Sequence, residues 1–557
     1  MKNILLLCLL VSFHTLIAQQ HSMNSYRGQW EGEFDNAQPL NFTINLEKIS
    51  DHVYNFTINA HHIRYTQRIE SSTSTPDKYS IGNEQYLLLD TENPNQLRGF
   101  ISSGIYFYQL SFTQIDETHF QSRWDLFQVR RLLNKKVFLS IENVSASSFD
   151  AYPFFGERRF PGTWCFGAKQ RASTINFQDF RTGLQFEADL KEKAILLKFK
   201  LFDTVFTSVL LRRSTTDWDL SDSKLTDKNE NLPNPIHHPS LREMEQKIIA
   251  GSYPKIHSIL LMKEGKIGYE HYFSGFNATA LHDQRSASKS ISSTLIGIAL
   301  DRKELASVNQ PLAYYLPTSY QQNLNVQQKQ ITLKHLLTMS SGMDAIDFGT
   351  STPSKASEQV YQNTPNWTQT ILDAPMRSAP GTKANYGTAN PYLLKYPLEH
   401  NNKLPLPLFI DRYLFAPLKI NQYAIQKDRD GKVYLGGGML LSSQHMLRFG
   451  QLVLQNGQFN QEQVVSKKWI QEATQASVRL ENTVSKNAYG YLWWIQKYRH
   501  ADKSITTIEA RGNGGQYIII IPKLKAVCVI TAGNYNSSQT KLPETLFQKY
   551  LLPALLE

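Results

Sequence analysis

The chain has 557 residues, 41% of them hydrophobic and 19% charged, and a formal net charge of +11. That length exceeds one typical domain, so two or three are expected. Lys and Arg are scattered, with only short pairs such as Arg130-Arg131, Lys135-Lys136 and Arg212-Arg213, which excludes the basic clusters of a nucleic-acid binder and leaves a generally basic protein.

Met1-Lys2-Asn3 is a short basic start, Ile4 to Ile17 a mostly apolar run, and Ala18-Gln19-Gln20 ends it. Residues 1–18 read as a cleaved secretory signal peptide, too short to span a membrane, which places the mature protein in the periplasm or outside the cell. No later stretch approaches a transmembrane span. Cys8 falls inside the apolar run, and Cys165 and Cys528 are far apart, so no disulfide framework is expected.

From residue 24 to 213 the pattern has period two. Phe42, Ile44 and Leu46 alternate with polar residues, as do Leu197, Phe199 and Leu201 with Lys198 and Lys200, and Pro94-Asn95 and Pro161-Gly162 mark turns. This predicts an all-β accessory region, a barrel or sandwich, of one unit or two. Gly28-Gln29-Trp30 and Gly162-Thr163-Trp164 resemble the opening strand of lipocalin-like barrels, which implies a carrier if a large apolar cavity is present; Trp residues plugging the ends of β layers is the reading preferred here. Residues 214–239, with Pro233, Pro235 and Pro239, read as a linker. His61-His62 and His237-His238 have no further ligand at a recognised spacing and no H-E-x-x-H occurs, so neither metal nor cofactor is expected.

Residues 240–557 form the second region. Ser240 to Ile249 predicts a helix. Ile256–Met262 with Ile267–Phe273, and Gln516–Ile521 with Ala526–Thr531, predict two hairpins that share one antiparallel sheet, flanked by helices and interrupted by a helical subdomain. The fold class is α+β. Leu542 to Leu556 predicts a last helix that Pro553 breaks. Gly436-Gly437-Gly438 lacks the residues of a phosphate loop and reads as a hinge or close-packed backbone. Trp493 and Trp494 read as core or pocket wall, His335 as packing, and Asp344 to Ser378 as a lid or an ordinary insertion.

The chemistry centres on Ser286-Ala287-Ser288-Lys289. Ile291, Leu295, Ile298 and Ala299 recur at helical spacing behind it, so Ser286 and Lys289 share a face at the start of a buried helix. Burial lowers a lysine pKa, which lets Lys289 act as base to the Ser286 hydroxyl. The same spelling at Ser221–Lys224 and Ser538–Lys541 has no buried helix behind it. Taken with Ile331–Met343, Pro380-Gly381 leading to Tyr386, Tyr489–Trp494 and Gly512–Gln516, the order of motifs resembles the serine β-lactamase and penicillin-binding-protein superfamily, in its class C-like esterase and 6-aminohexanoate-dimer hydrolase branch.

That resemblance implies a β-lactamase-like fold and an acyl-enzyme. Ser286 would be the nucleophile, Lys289 the base, and Tyr386 a partner in proton transfer, acting as phenolate beside the Lys289 cation. The N–H groups of Ser286 and of the Gly514-Gly515 strand edge would bind the oxyanion, with Thr388 and Asn513 facing substrate. Two departures stand out: the family's Y-x-N ends in Thr388, and its K-T-G becomes Gly512-Asn513-Gly514, without the lysine that meets a substrate carboxylate. Arg511 and Lys383 are the candidate replacements. The expected function is an exported serine hydrolase for a small ester or amide. A non-turning-over envelope sensor, or a β-lactamase or D-amino-acid peptidase, are the alternatives.

Overall fold

The computed structural model describes residues 25–557 apart from 36–39, 61–62, 83–84, 93–95, 127–134, 146–147, 155–167, 172, 216–227, 230–231, 233–234, 349–351, 401–402 and 484–485. The leader-like run 1–18, Cys8, Cys165, His61-His62, the second Gly-x-Trp and Ser221–Lys224 lie outside the described residues.

The N-terminal region is all antiparallel, built as two curled half-barrel sheets. Phe42, Ile44 and Leu46 of Asn41–Ser50 are buried while the residues between them are half-exposed. Ile195, Leu197, Phe199 and Leu201 repeat this in Ala194–Leu201. Along the first sheet lie Ser148–Phe154, Lys136–Ser145, Gly28–Glu33, Thr204–Arg213, Ala194–Leu201, Leu184–Lys191, Thr174–Asp179 and Lys169–Arg171. The apolar faces of the two sheets meet where Phe42 stands edge-on to Phe206, ring centroids 5.1 Å apart. Trp30 is buried, and its indole N–H donates to Tyr26 O at 2.8 Å, so it serves as a plug of the β layer.

The second sheet continues beyond this region. From Thr113–Gln114 it runs through His119–Asp125, Asn41–Ser50, Val53–Ala60, Ile63–Ser72, Thr75–Ser80, Tyr86–Asp90 and Arg98–Ser103 to Tyr106–Ser111, and then into strands of the C-terminal region. Tyr106–Ser111 pairs with Ala424–Gln426, which pairs with Met439–Ser442, which pairs with Leu281–Asp283. Leu281–Asp283 delivers the chain to Ser286. One sheet is therefore shared by strands that precede and strands that follow segment 214–239. Part of that segment is itself a strand: Lys228–Asn229 pairs with Lys266–Tyr272.

A buried ion pair fastens the same junction. Arg98 meets Asp411 through Nε at 2.6 Å and Nη2 at 2.8 Å, and reaches Asn421 Oδ1 and Ile420 O; the Tyr423 hydroxyl donates to Asp411 Oδ1 at 2.7 Å. Removing one partner of a buried pair strands the other charge, at about 3–5 kcal/mol. Arg98→Met is accordingly expected to destabilise the protein by that amount, read from the urea-unfolding midpoint, and to lose less when Asp411→Leu is added.

The C-terminal region is built on a nine-stranded antiparallel sheet. Its order is Lys228–Asn229, Lys266–Tyr272, Ile256–Lys263, Ala526–Ala532, Gln516–Ile521, Lys503–Gly512, Trp494–His500, Ala488–Tyr489 and Val478–Arg479. Both expected hairpins are present and adjoin through Ile256–Lys263 and Ala526–Ala532. Gln516–Ile521 is buried throughout because both faces are covered. Ile518 and Ile520 pack in the core that holds the helices Lys289–Asp301 and Ser443–Leu454, whereas Tyr517, Ile519 and Ile521 pack toward Pro239–Ile249 and the C-terminal helix. That last helix is not ended by Pro553. Leu542–Leu546 passes through a wide π turn, Phe547–Leu551, into Leu552–Leu556, which absorbs the hydrogen bond that proline cannot donate. No helix among the described residues is long and apolar enough to cross a membrane.

Candidate active site

Ser286 sits on a single 3-10 turn, Arg285–Ser288, between the Leu281–Asp283 strand and the Lys289–Asp301 helix. Gln284 is pinned by its N–H to Met439 O at 2.9 Å. Arg285 takes a left-handed φ of 47°, a costly conformation for a residue with a side chain, and this turns the strand sharply into the helix. Eleven successive residues, Lys289 to Ala299, are buried, so the helix is fixed on all sides. Ser286 itself is half-buried, and its N–H belongs to the first turn, which has no intrahelical acceptor.

Lys289 Nζ lies 2.8 Å from Ser286 Oγ and donates to Gly436 O at 2.5 Å. Burial pushes its pKa below the usual lysine value; the fields of Glu358 and Asp347 oppose this but do not cancel it. The Gly436 carbonyl can come this close because Gly436-Gly437-Gly438 is packed backbone. A Cβ on Gly436 would stand 2.6 Å from Thr388 Cγ2, and one on Gly437 would stand 3.2 Å from the Arg285 carbonyl carbon.

Tyr386 completes the group. Burial drives its phenol pKa upward, and the neighbouring Ser286 hydroxyl opposes this without cancelling it. Lys289 Nζ is 5.3 Å from the centre of its ring. Burial holds the phenol protonated, so Tyr386 is read as a neutral phenol and not as the phenolate expected from the sequence. The ring is gripped on several sides. Phe348 stacks on it at 5.2 Å, Trp494 at 5.3 Å, and Tyr489 meets it edge-on at 6.2 Å. Asn482 brackets its peptide, accepting from Tyr386 N at 2.8 Å and donating to Tyr386 O at 3.1 Å. The Ile331–Met343 motif forms the base of this loop: Ser340 O accepts from Gly381 N at 2.8 Å and Met339 O from Asn385 N at 2.9 Å. His335 packs there as part of a capping box with Thr332.

Behind Lys289 and Tyr386 lie two carboxylates. Asp347 accepts from Glu358 N at 2.9 Å and from Thr388 N at 2.7 Å, and also from the Thr388 hydroxyl. Burial, with the Glu358 charge beside it, raises the Asp347 pKa to about 6. Glu358 accepts from the Tyr434 hydroxyl at 2.6 Å and from Gln362 at 3.2 Å. Asp347 thus holds the Tyr386 loop, while Glu358 holds Tyr434, two residues before the carbonyl that anchors Lys289. Thr388 is almost wholly buried; the expectation that it faces substrate is corrected, because its polar atoms are committed to Asp347.

The third motif closes the site from the strand side. A Cβ at Gly512 would stand 2.1 Å from Gln284 O and 3.2 Å from Ala287 N. No side chain fits there, so a lysine at this position would displace the Ser286 turn. Gly514 and Gly515 have φ of 91° and 95°, a region that favours glycine. Their N–H groups are taken, however: Gly514 N donates to Thr540 Oγ1 at 2.9 Å and Gly515 N to Gly512 O at 3.3 Å. Both are corrected from oxyanion donors to supports of the turn. The Asn513 side chain is tied to Asn536, and its N–H meets no acceptor among the described residues. The Ser538–Lys541 spelling is a 3-10 turn, and its Thr540 steadies the glycines.

Of the two proposed replacement cations, Arg511 is half-buried and spent on Glu509 at 2.7 Å, Glu544 at 3.0 Å and the Tyr498 hydroxyl at 3.3 Å, while Lys383 is exposed on the turn before Tyr386. His238 caps the Pro239–Ile249 helix and reaches Glu557 at 2.9 Å. No group of three metal-ligating side chains occurs among the described residues. The sequence reading missed Asp347, Phe348, Glu358, Gly436 O, Asn482 and Arg285. Only Arg285, beside the serine, carried a signal; the rest belong to stretches with no periodicity.

The chain belongs to the beta-lactamase family, which it matches over residues 249–546; members are typically serine hydrolases. Among individual proteins it is similar to a 6-aminohexanoate-dimer hydrolase of Paenarthrobacter ureafaciens, at 23% identity over 292 residues, or 49% of this chain and 71% of that one. Solved structures with partial likeness include an octameric penicillin-binding protein homologue from Pyrococcus abyssi (19% identity, 57% of this chain and 76% of that one, TM-score 0.44) and a penicillin-binding protein homologue from Caulobacter crescentus (13%, 59% and 100%, 0.45).

Proposed function

We propose that this chain is a serine hydrolase that acts through an acyl-enzyme on a small ester or amide, exported by way of its apolar N-terminal run. The observation that carries this reading is Lys289 Nζ 2.8 Å from Ser286 Oγ, in a site that burial makes hostile to the charged amine. A neutral Lys289 accepts the Ser286 proton as Oγ bonds to the acyl carbon. The N–H of Ser286, which has no intrahelical acceptor, is the donor for the oxygen on which negative charge develops. As the bond to the leaving group breaks, the Tyr386 hydroxyl donates to it and is reprotonated from Lys289. Water then attacks the acyl carbon by the same proton route reversed, returning Ser286.

The collision that excludes a side chain at Gly512 supports esters or amides with no carboxylate on the strand side. Purified protein is expected to react with a fluorophosphonate probe and to turn over short-chain nitrophenyl esters. A chromogenic cephalosporin, whose ring carboxylate would lie on the strand side where no lysine fits, is expected to show kcat/KM roughly tenfold to hundredfold lower. Absence of both labelling and ester turnover would sink the reading.

A further inference from the structure

A line of alternating charge runs from the N-terminal region into the active site. Asp179 is buried at the end of Thr174–Asp179, where it accepts from Thr182 Oγ1 at 2.8 Å and Arg181 N at 3.2 Å. Arg181 is buried on the turn that follows; its guanidinium donates to the Tyr106 hydroxyl at 2.7 Å and faces the charges of both Asp179 and Asp283. That turn packs against the Ser103-Gly104 turn of the other sheet so tightly that a Cβ on Gly104 would stand 2.3 Å from Arg181 O. Asp283 comes next. Its Oδ1 accepts from Arg285 N at 3.1 Å, and its Oδ2 pairs with Arg285 Nε at 3.1 Å. Arg285 is last, and the residue after it is Ser286.

The line ends on Arg285, whose guanidinium makes no hydrogen bond among the described residues. Asp283 lies between two guanidinium groups, and Arg285 Nε approaches its Oδ2 at 3.1 Å as an ion pair without a hydrogen bond. Among the described residues neither terminal nitrogen of Arg285 meets an acceptor, and its side chain is 39% exposed. Its plane is steadied by the Tyr535 ring, 5.6 Å away, and Tyr535 in turn donates to Asp283 O at 3.2 Å and fills the space beside Gly514. Glu358 adds to the field at Arg285, and its own oxygen is held by Tyr434 and Gln362. A rigid guanidinium fork with two unsatisfied donors, next to the acylated serine, suits a planar anion.

We propose that Arg285 is the specificity residue of this enzyme, that it selects esters or amides bearing a carboxylate, and that the N-terminal region presents it through Asp179, Arg181 and Asp283. The proposal rests on the hydrolase reading above and supplies, from the serine's own turn, the cation that the glycine strand cannot carry. The test compares kcat/KM for two carboxylate esters, 4-acetoxybenzoate and the monophenyl ester of glutaric acid, with that for their neutral methyl-ester counterparts. The wild-type protein is expected to prefer at least one anionic partner by about tenfold to a hundredfold, and the preference is expected to shrink with added salt. In Arg285→Gln the ratio is expected to fall toward one. In Arg285→Glu it is expected to invert and to favour a trimethylammonium-substituted phenyl acetate, a gain that misfolding cannot imitate. Turnover of neutral esters with no anionic preference, or a preference unchanged in Arg285→Gln, overturns this inference and leaves the hydrolase reading standing. No turnover of any ester, with no fluorophosphonate labelling, removes both.

Discussion

Replacing Ser286 with alanine is expected to cut ester turnover about 10⁴-fold or more and to abolish fluorophosphonate labelling. The magnitude follows from the way such groups work as a unit: without the nucleophile, the base and the oxyanion donor have no covalent step to assist. The structure offers no substitute. Ser288 is buried and its hydroxyl donates to Arg285 O at 2.8 Å, and the Ser290 hydroxyl donates to Leu492 O at 2.7 Å. Stability should barely change, since a half-buried hydroxyl is lost from a turn held by backbone bonds. Intact-protein mass spectrometry separates the outcomes. An acyl adduct on wild type and none on Ser286→Ala is the expected pair; an adduct on both would place the nucleophile elsewhere.

Lys289→Arg is expected to be nearly as severe, about 10²–10⁴-fold in kcat/KM, although it keeps a cation at the position. Arginine does not lose its proton in a protein, so it cannot take one from Ser286. The wild-type pH profile follows from the same logic. The active form carries neutral Lys289, so kcat/KM should rise with pH through the lysine pKa and level off above it. That midpoint lies below the ordinary lysine value because desolvation outweighs the attraction of Glu358 and Asp347. Glu358→Gln, which removes one of those attractions, is expected to move the rising limb to lower pH. A flat profile, or an active Lys289→Arg, would show that this amine is not the base.

Much of this site could be read from the chain because its members stand on regular elements. Ser286 and Lys289 announce themselves through the apolar period of the helix behind them, and the glycines at 512–515 through their density ahead of a strand. The fold of residues 240–557 was legible for the same reason: its hairpins have tight turns and uninterrupted apolar runs. Asp347, Glu358 and Asn482 were not, since they come from irregular stretches where position is set by tertiary contact alone. The roles of Gly514 and Thr388 were misjudged for a related reason. Spelling identifies a residue type, but whether an N–H or hydroxyl is free depends on neighbours such as Thr540 and Asp347, far off in sequence. The shared sheet was equally hidden, because Ala424–Gln426 is three residues long and has no period to display.

That shared sheet sets an order of assembly. The backing of the Ser286 turn, Met439–Ser442, is held in place by Ala424–Gln426 and Tyr106–Ser111, and the ion pair at the same seam joins partners 313 positions apart. Closing so long a loop is entropically slow and comes late in folding. While the chain is being synthesised, the serine has no finished support. On the proposed chemistry, Ser286 gains its support only once nearly the whole polypeptide has been gathered in.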